Sequence, residues 1–225
     1  MTQPVQNGGR PDSGSLSRRL RHVYWLGGGS GAGKSTIARR LADRRGLRLY
    51  STDDAMADHA RRCGPEDGPL LVEFNKMSMD ERWVDRSPRT MLETFHWFRG
   101  EGFGLIVEDL LRLRPDEGVI VEGFRLLPQL VAPLLHRPNQ GLWLLPTPEF
   151  RLAAFESRGS LWRIAEQTSH PERALSNLLE RDRLFTADLQ DMARKVGAPV
   201  IHVDRPLAES ILEHRVAAHF GLRPG

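Results

Sequence analysis

The octapeptide Gly28-Gly29-Ser30-Gly31-Ala32-Gly33-Lys34-Ser35 satisfies the pattern G-x-x-x-x-G-K-[ST] at every position and constrains the fold more than any other stretch. Val23-Tyr24-Trp25-Leu26 before it has strand composition. Ile37, Ala38 and Leu41 after it recur at helical spacing among Arg39, Arg40, Asp43 and Arg44. Strand, glycine loop and helix in that order make a cradle for a polyphosphate. Such a loop must turn several backbone N–H groups inward and approach the anion too closely for β-carbons. The positive dipole end of the following helix adds to the attraction. Lys34 supplies a charge able to reach the β- and γ-phosphates, the Ser35 hydroxyl suits Mg²⁺, and Thr36 is placed for the α-phosphate.

A chain of 225 residues can bury one substantial core with a small subdomain or lid. Its 32 basic and 29 acidic residues are interleaved and leave a net charge of +3, so no nucleic-acid stripe is expected. The only lysines are Lys34, Lys76 and Lys195, which makes Lys34 conspicuous. Cys63, the single cysteine, excludes an internal disulfide and a multi-cysteine zinc site and suits a reducing, cytoplasmic setting. No stretch has the length and apolarity of a membrane span, and the N-terminus lacks the apolar region of a secretory signal.

Residues 1–21 read as a polar, disordered tail ending in the solvated cluster Arg18, Arg19 and Arg21. Residues 22–225 read as one α/β domain. Leu47–Tyr50, Gly118–Gly123, Gly141–Leu145 and Pro199–Val203 join the first strand to give five, expected to run parallel. The second strand ends in Asp53-Asp54, acid at the carboxyl edge where ligands bind in open α/β sheets. Helices are expected near 88–98, 105–113, 149–158, 175–196 and 207–220. Trp83, His96 and Trp97 are expected in the core.

With the loop, the acid pair and Val121-Glu122-Gly123, the sequence resembles the P-loop kinases of small molecules over residues 22–210. These include nucleoside monophosphate, shikimate, gluconate and chloramphenicol kinases, with zeta-toxin and polynucleotide kinase relatives. The resemblance implies a three-layer α/β/α P-loop NTPase fold with five parallel strands. It implies a helical substrate insertion over about 56–114 and a lid over about 159–173. It also implies an enzyme that uses ATP and Mg²⁺ to phosphorylate a small hydroxyl- or phosphate-bearing acceptor. Lys34 and the residues from Gly28 to Thr36 would hold ATP, and Ser35 and Glu122 the metal. Asp53 would be the base, with Asp54 a helix cap or a contact to metal-bound water. Lid arginines would embrace the transferred group, with Arg158 and Arg181 foremost among Arg151, Arg158, Arg163, Arg181 and Arg183. A polynucleotide or toxin-like kinase and a non-transferring nucleotide switch are the alternatives. Met56 stands where polynucleotide kinases usually carry an arginine, and Asn75-Lys76-Met77-Ser78 lacks the aspartate of a guanine-reading motif.

Overall fold

The structure, a computed structural model, describes residues 13–147, 150, 160–204 and 209–222. Five strands, β1 (Val23–Gly28), β2 (Arg48–Ser51), β3 (Val119–Glu122), β4 (Gly141–Pro146) and β5 (Val200–Val203), form one parallel sheet in the order β2-β3-β1-β4-β5. β3 and β4 are buried along their whole length, as strands covered on both faces must be.

Alternation along the strands divides the core. Leu26, Ile120, Leu142 and Leu144 face Ile37, Ala38 and Leu41 of α2 (Lys34–Arg45) and Leu212, Val216 and Phe220 of the C-terminal helix Glu209–Phe220. Val23, Trp25, Val119, Val121 and Trp143 face the other way. There they meet Leu20, Ile106 and Leu110 of Phe103–Arg112, and Val131 of Pro128–Val131. Trp143 is fully buried and its Nε1 donates to the Leu126 carbonyl at 2.7 Å. The helices after β1 and after β3 therefore lie on opposite faces, which opens a crevice at the carboxyl ends of these neighbouring strands.

Between β2 and β3 the chain forms α3 (Met56–Arg62), α4 (Pro69–Lys76), α5 (Met79–Trp83), α6 (Pro88–Thr94), a 3₁₀ turn at His96–Arg99, and α7 (Phe103–Arg112). Serines start two of these helices. Ser78 and Glu81 form a reciprocal capping box on α5, and Ser87 accepts from Thr90 N–H on α6 with Pro88 at the first helical position. Trp83, His96 and Trp97 are buried as expected.

Three stretches differ from the sequence reading. Residues 13–19 form a helix and Leu20 is fully buried, because Leu16 and Leu20 dock on the Trp25–Trp143 face of the sheet. Arg18, Arg19 and Arg21 are exposed as expected. The helix expected across 88–98 stops at Thr94 and resumes as the 3₁₀ turn. The stretch 159–173 is largely regular: Ser160–Ala165 is helical, and Pro171 opens the long helix α10 (Pro171–Val196), since proline's missing N–H and fixed φ suit a first turn. Between them, Ser169 binds Asp80 of α5 through its N–H at 2.8 Å and its hydroxyl at 2.5 Å, tying this segment to the insertion. The helix expected over 149–158 lies outside the described residues apart from Phe150.

Candidate active site

Gly28, the last residue of β1, has φ 132°, and a Cβ there would collide with the Leu144 carbonyl oxygen of β4. Only glycine lets the chain leave the sheet so close to its neighbour. The loop then returns its first turn to β4, Gly29 N–H donating to the Leu144 carbonyl at 3.0 Å. Gly33 is the N-cap of α2, so Lys34 and Ser35 stand on its first turn. Lys34 is 8% exposed and folds back over the loop, with Nζ 2.7 Å from the Gly29 carbonyl oxygen. Its ammonium thus occupies the mouth of the cradle. Ala32 is buried, while Ser30, Gly31 and Thr36 are half-buried along the rim.

Three strand ends meet in front of the loop. Glu122 pairs in register with Leu26 of β1 and Ser51 of β2, and Thr52 N–H extends that ladder to the Glu122 carbonyl at 2.9 Å. Gly123, φ 147°, passes so close to Thr52 that a Cβ would overlap the threonine hydroxyl. Glu122 is 2% exposed and its Oε2 accepts from Ser35 Oγ at 3.1 Å. Asp53 follows Thr52 in the turn that ends β2, and Thr52 Oγ1 stands 3.4 Å from its Oδ1. Burial raises the pKa of Glu122 and Lys34 opposes that rise. The same two influences act on Asp53, whose pKa is also raised. Asp53 is solvent-exposed, and the charge of Lys34 acts on it.

Asp54 does not cap the next helix as expected. The N-cap of α3 is Ala55, with no side-chain cap bond, and Asp54 is exposed with its own N–H donating to Ser51 Oγ at 3.3 Å. The strand stops at Ser51, so the four-residue turn intervenes before the helix and moves the cap position past the acid pair.

Behind Asp53 lies a buried relay that no local sequence pattern announces. Arg125, 2% exposed, donates through Nη1 to the Thr52 carbonyl at 3.3 Å and to His59 Nδ1 at 2.9 Å. Its Nη2 donates to the Gly102 carbonyl at 3.2 Å, and its guanidinium stacks 3.9 Å from the Trp97 ring centroid. His59 accepts at Nδ1, so Nε2 carries the proton and donates to Asp109 Oδ2 at 2.8 Å. Tyr50 and Arg62 also donate to Asp109, each at 2.8 Å. Burial pushes the Asp109 pKa up, but the bonds from His59, Arg62 and Tyr50 together outweigh it and hold the carboxyl down at about 2. Desolvation lowers Arg125 to about 10, which still leaves it charged at neutral pH.

The candidate lid arginines scatter. Arg181 is buried on α10, bonded to Asp182 Oδ1 through Nε at 3.0 Å and Nη2 at 2.6 Å, with the rings of Trp83, Phe95 and Phe98 each 5.2 Å away. Arg183 is a surface residue paired with Glu180, and Arg163 is exposed. Arg151 and Arg158 lie outside the described residues. Among the described residues no three His, Cys, Asp or Glu side chains converge as a metal cage. Mg²⁺ with a nucleotide needs only one or two protein ligands, so Ser35 and Glu122, 3.1 Å apart, fit that ion. A cavity of about 470 Å³ between α2 and the C-terminal helix lies away from these groups. Its Glu213 is already bound by Arg40 and Arg44.

No family model matches the chain. It is 25% identical over 190 residues to a 2-phosphoglycerate kinase of Thermococcus kodakarensis, covering 82% of this chain and 62% of that protein. It is 36% identical over 72 residues to a cytidylate kinase of Ignicoccus hospitalis, covering 32% of this chain and 40% of that one. The chain thus spans about three fifths and two fifths of the length of these curated relatives. Among solved structures, shikimate kinase from Acinetobacter baumannii in complex with shikimate aligns over 93% of this chain and 99% of its own, at 18% identity and a TM-score of 0.40. That likeness is too loose to argue from, and the fold rests on the strand order and loop described above. No helix among the described residues is long and apolar enough to cross a membrane. Strand order, phosphate loop and sequence relatives agree: the chain resembles P-loop kinases of small molecules.

Proposed function

We propose that the protein is an ATP-dependent phosphotransferase that moves the γ-phosphoryl group to a hydroxyl or phosphate oxygen of a small molecule. The observation that carries this reading is the convergence of three groups at one sheet edge. Lys34 stands in the loop mouth, the Ser35–Glu122 pair lies 3.1 Å apart beside it, and Asp53 stands in the turn that ends the neighbouring strand β2, within the field of Lys34. A nucleotide switch needs the first two; a carboxylate facing the transferred group serves chemistry.

In the forward reaction Asp53 accepts the proton of the acceptor hydroxyl as that oxygen attacks the γ-phosphorus. The bond from γ-phosphorus to the bridging oxygen breaks and ADP leaves. A raised carboxylate pKa makes Asp53 a stronger base than a free aspartate. Lys34 neutralises charge on the phosphate oxygens, where a preorganised cation acts most strongly. Ser35 and Glu122 would hold Mg²⁺, which would supply positive charge to the phosphate groups. The relay through Arg125 and His59 fixes the Thr52 carbonyl and with it the backbone that presents Asp53.

The test is ATP consumption across nucleoside monophosphates, phosphorylated acids, sugars, sugar acids and 5′-hydroxyl oligonucleotides. Lys34→Ala protein serves as the control. Turnover with one small acceptor, absent in the control, supports the reading. ATP hydrolysis that no acceptor stimulates favours the switch alternative, and turnover confined to oligonucleotides favours the polynucleotide one.

A further inference from the structure

The cavity of about 470 Å³ between α2 and the C-terminal helix Glu209–Phe220 plays no part in the phosphate chemistry. Its volume falls within the roughly 300–1,000 Å³ of small-molecule sites. Two kinds of surface line it. Ala217, Ala218 and Leu222 make an apolar wall, while Arg44, Arg45 and His214 supply donors.

Arg45 is the lining cation without an anion. It is half-buried, its Nε has no hydrogen-bond partner, and among the described residues no carboxylate stands within ion-pair distance of it. Taking part of a guanidinium out of water with nothing to pair it is unfavourable, and an oxyanion in the cavity beside it would supply the partner. The acid on the same wall is already committed. Glu213 is 4% exposed, and it accepts from Arg40 Nε at 2.7 Å and from Arg44 Nη1 at 2.9 Å. Its charge is thus matched twice over, and it leaves the cavity cationic. His214 is exposed and makes no hydrogen bond or ion pair among the described residues, so its ring is available to an occupant.

Both walls of the cavity lead to the phosphate loop. Lys34 and Arg44 stand on one helix, α2, about 15 Å apart along its axis. On the opposite wall, Leu212 Cδ2 lies 3.8 Å from where a Cβ on Gly33 would sit, so the C-terminal helix touches the loop one residue before Lys34. Arg40 ties the two helices together through Glu209 at 3.0 Å and Glu213 at 2.7 Å.

We propose that this cavity is a second ligand site, for a small organic anion that carries a carboxylate or phosphate on an apolar body. The anion pairs with Arg45, beside Arg44 and His214, and the body lies on Ala217, Ala218 and Leu222. A ligand between the two helices fixes their spacing and so alters the affinity of the loop for nucleotide. By linkage, nucleotide alters the affinity for the ligand by the same factor. The site stands whether or not the protein transfers phosphate.

The experiment is a calorimetric titration of benzoate and, separately, phenyl phosphate into protein saturated with Mg²⁺ and a non-hydrolysable ATP analogue, which fills the loop. Wild-type protein should bind at least one, benzoate for a carboxylate ligand and phenyl phosphate for a phosphorylated one. Arg45→Gln should weaken that binding by about tenfold or more, the worth of a lost hydrogen bond between charged partners. Ala218→Phe, which sets a ring into the cavity from an exposed helix position, should abolish it. Neither residue belongs to the loop, so the analogue alone should bind both variants as it binds wild type. No binding of either anion by wild type, or undiminished binding in either variant, overturns the proposal. Should one variant not fold, the other decides. The coupling is read from the analogue's affinity with and without the anion. A change of about fivefold or more in wild type, absent in Ala218→Phe, supports it. No change, or the same change in both proteins, overturns the coupling and leaves the site. If wild type fails to bind the analogue, the kinase reading falls by itself, and the anion titrations in ligand-free wild type and variants still judge the cavity.

Discussion

The two halves of the proposed site are built on different plans. The nucleotide half comes from one contiguous stretch, Gly28 to Thr36, completed by a single distant carboxylate, Glu122, that accepts from Ser35. The proposed acceptor half draws Asp53 from the end of β2, His59 from α3, Asp109 from α7 and Arg125 from beyond β3. The first half answers to backbone geometry, since the shape of a triphosphate is fixed. The second answers to side chains carried by an insertion, where composition can change without disturbing the sheet.

If that division is right, the largest effect should follow from removing the group where the halves meet. Asp53→Asn should cut kcat by about 10² to 10⁴, the usual worth of a positioned general base, with ATP affinity near wild type. In wild type, turnover should fall as pH drops through the raised pKa of Asp53, because the protonated acid cannot accept the acceptor's proton. A pH–rate profile that is flat down to the ordinary carboxylate range would break the assignment. Lys34→Ala follows, with a loss on the order of 3 kcal/mol in transition-state stabilisation. Its melting curve should stay close to wild type, and normal turnover with normal ATP binding would sink the loop's role.

The relay tests whether the acceptor half is a rigid support or a loose wall. His59→Leu leaves one Arg125 N–H unpaired and removes one of the two donors to Asp109 Oδ2, which Tyr50 still bonds, and this costs roughly 1–3 kcal/mol of stability. Turnover should drop with it while ATP affinity holds, because Arg125 loses one of the bonds that orient it toward Thr52. His59→Asn, whose amide can donate to Asp109 and accept from Arg125, should recover part of both. Equal damage from Leu and Asn would mean that ring volume matters and the relay does not.

The same division decided what could be read from sequence. The loop, its strand and its helix were legible because the chemistry is local, and each of the five strands lies within one or two residues of its expected span. The relay was not, since His59 and Asp109 stand 50 residues apart and each looks like an ordinary charge on a solvated helix. Residues 13–20 misled for a related reason: two leucines in a polar stretch are too few to show periodicity, yet enough to dock on a preformed sheet. The contact of Ser169 with Asp80 across 89 residues likewise has no local signal in the sequence.

Glu122 and Asp53 sharpen the comparison through stability. Both pKa values are raised in the folded chain, so the folded state binds these protons more tightly than the unfolded one. Ligand-free stability should therefore fall as pH rises from the ordinary carboxylate range through the raised values. Glu122→Gln keeps an acceptor for Ser35 and removes the charge. It should raise the ligand-free melting temperature at neutral pH and weaken Mg²⁺-dependent ATP binding. A lower melting temperature would show that the charge stabilises the empty site.

The smallest expected effect belongs to Asp54, and it separates the two members of the acid pair. From sequence alone, Asp54 as a cap of α3 would be worth about 1 kcal/mol. The turn that ends β2 places Ala55 at the cap instead, and Asp54 faces solvent with only its backbone N–H held by Ser51. A surface substitution away from caps and buried charges is usually within about 0.5 kcal/mol. Asp54→Asn should therefore leave the melting temperature within about 2 °C of wild type, given the 2–4 °C per kcal/mol of a chain this size. Its turnover should stay within about twofold, since the carboxylate that faces the loop's lysine is Asp53. Measured beside Asp53→Asn, the variant has a clear failure. A loss of turnover at position 54 with full turnover at position 53 would exchange the roles, and would mean that the 52–55 turn rearranges when substrates bind.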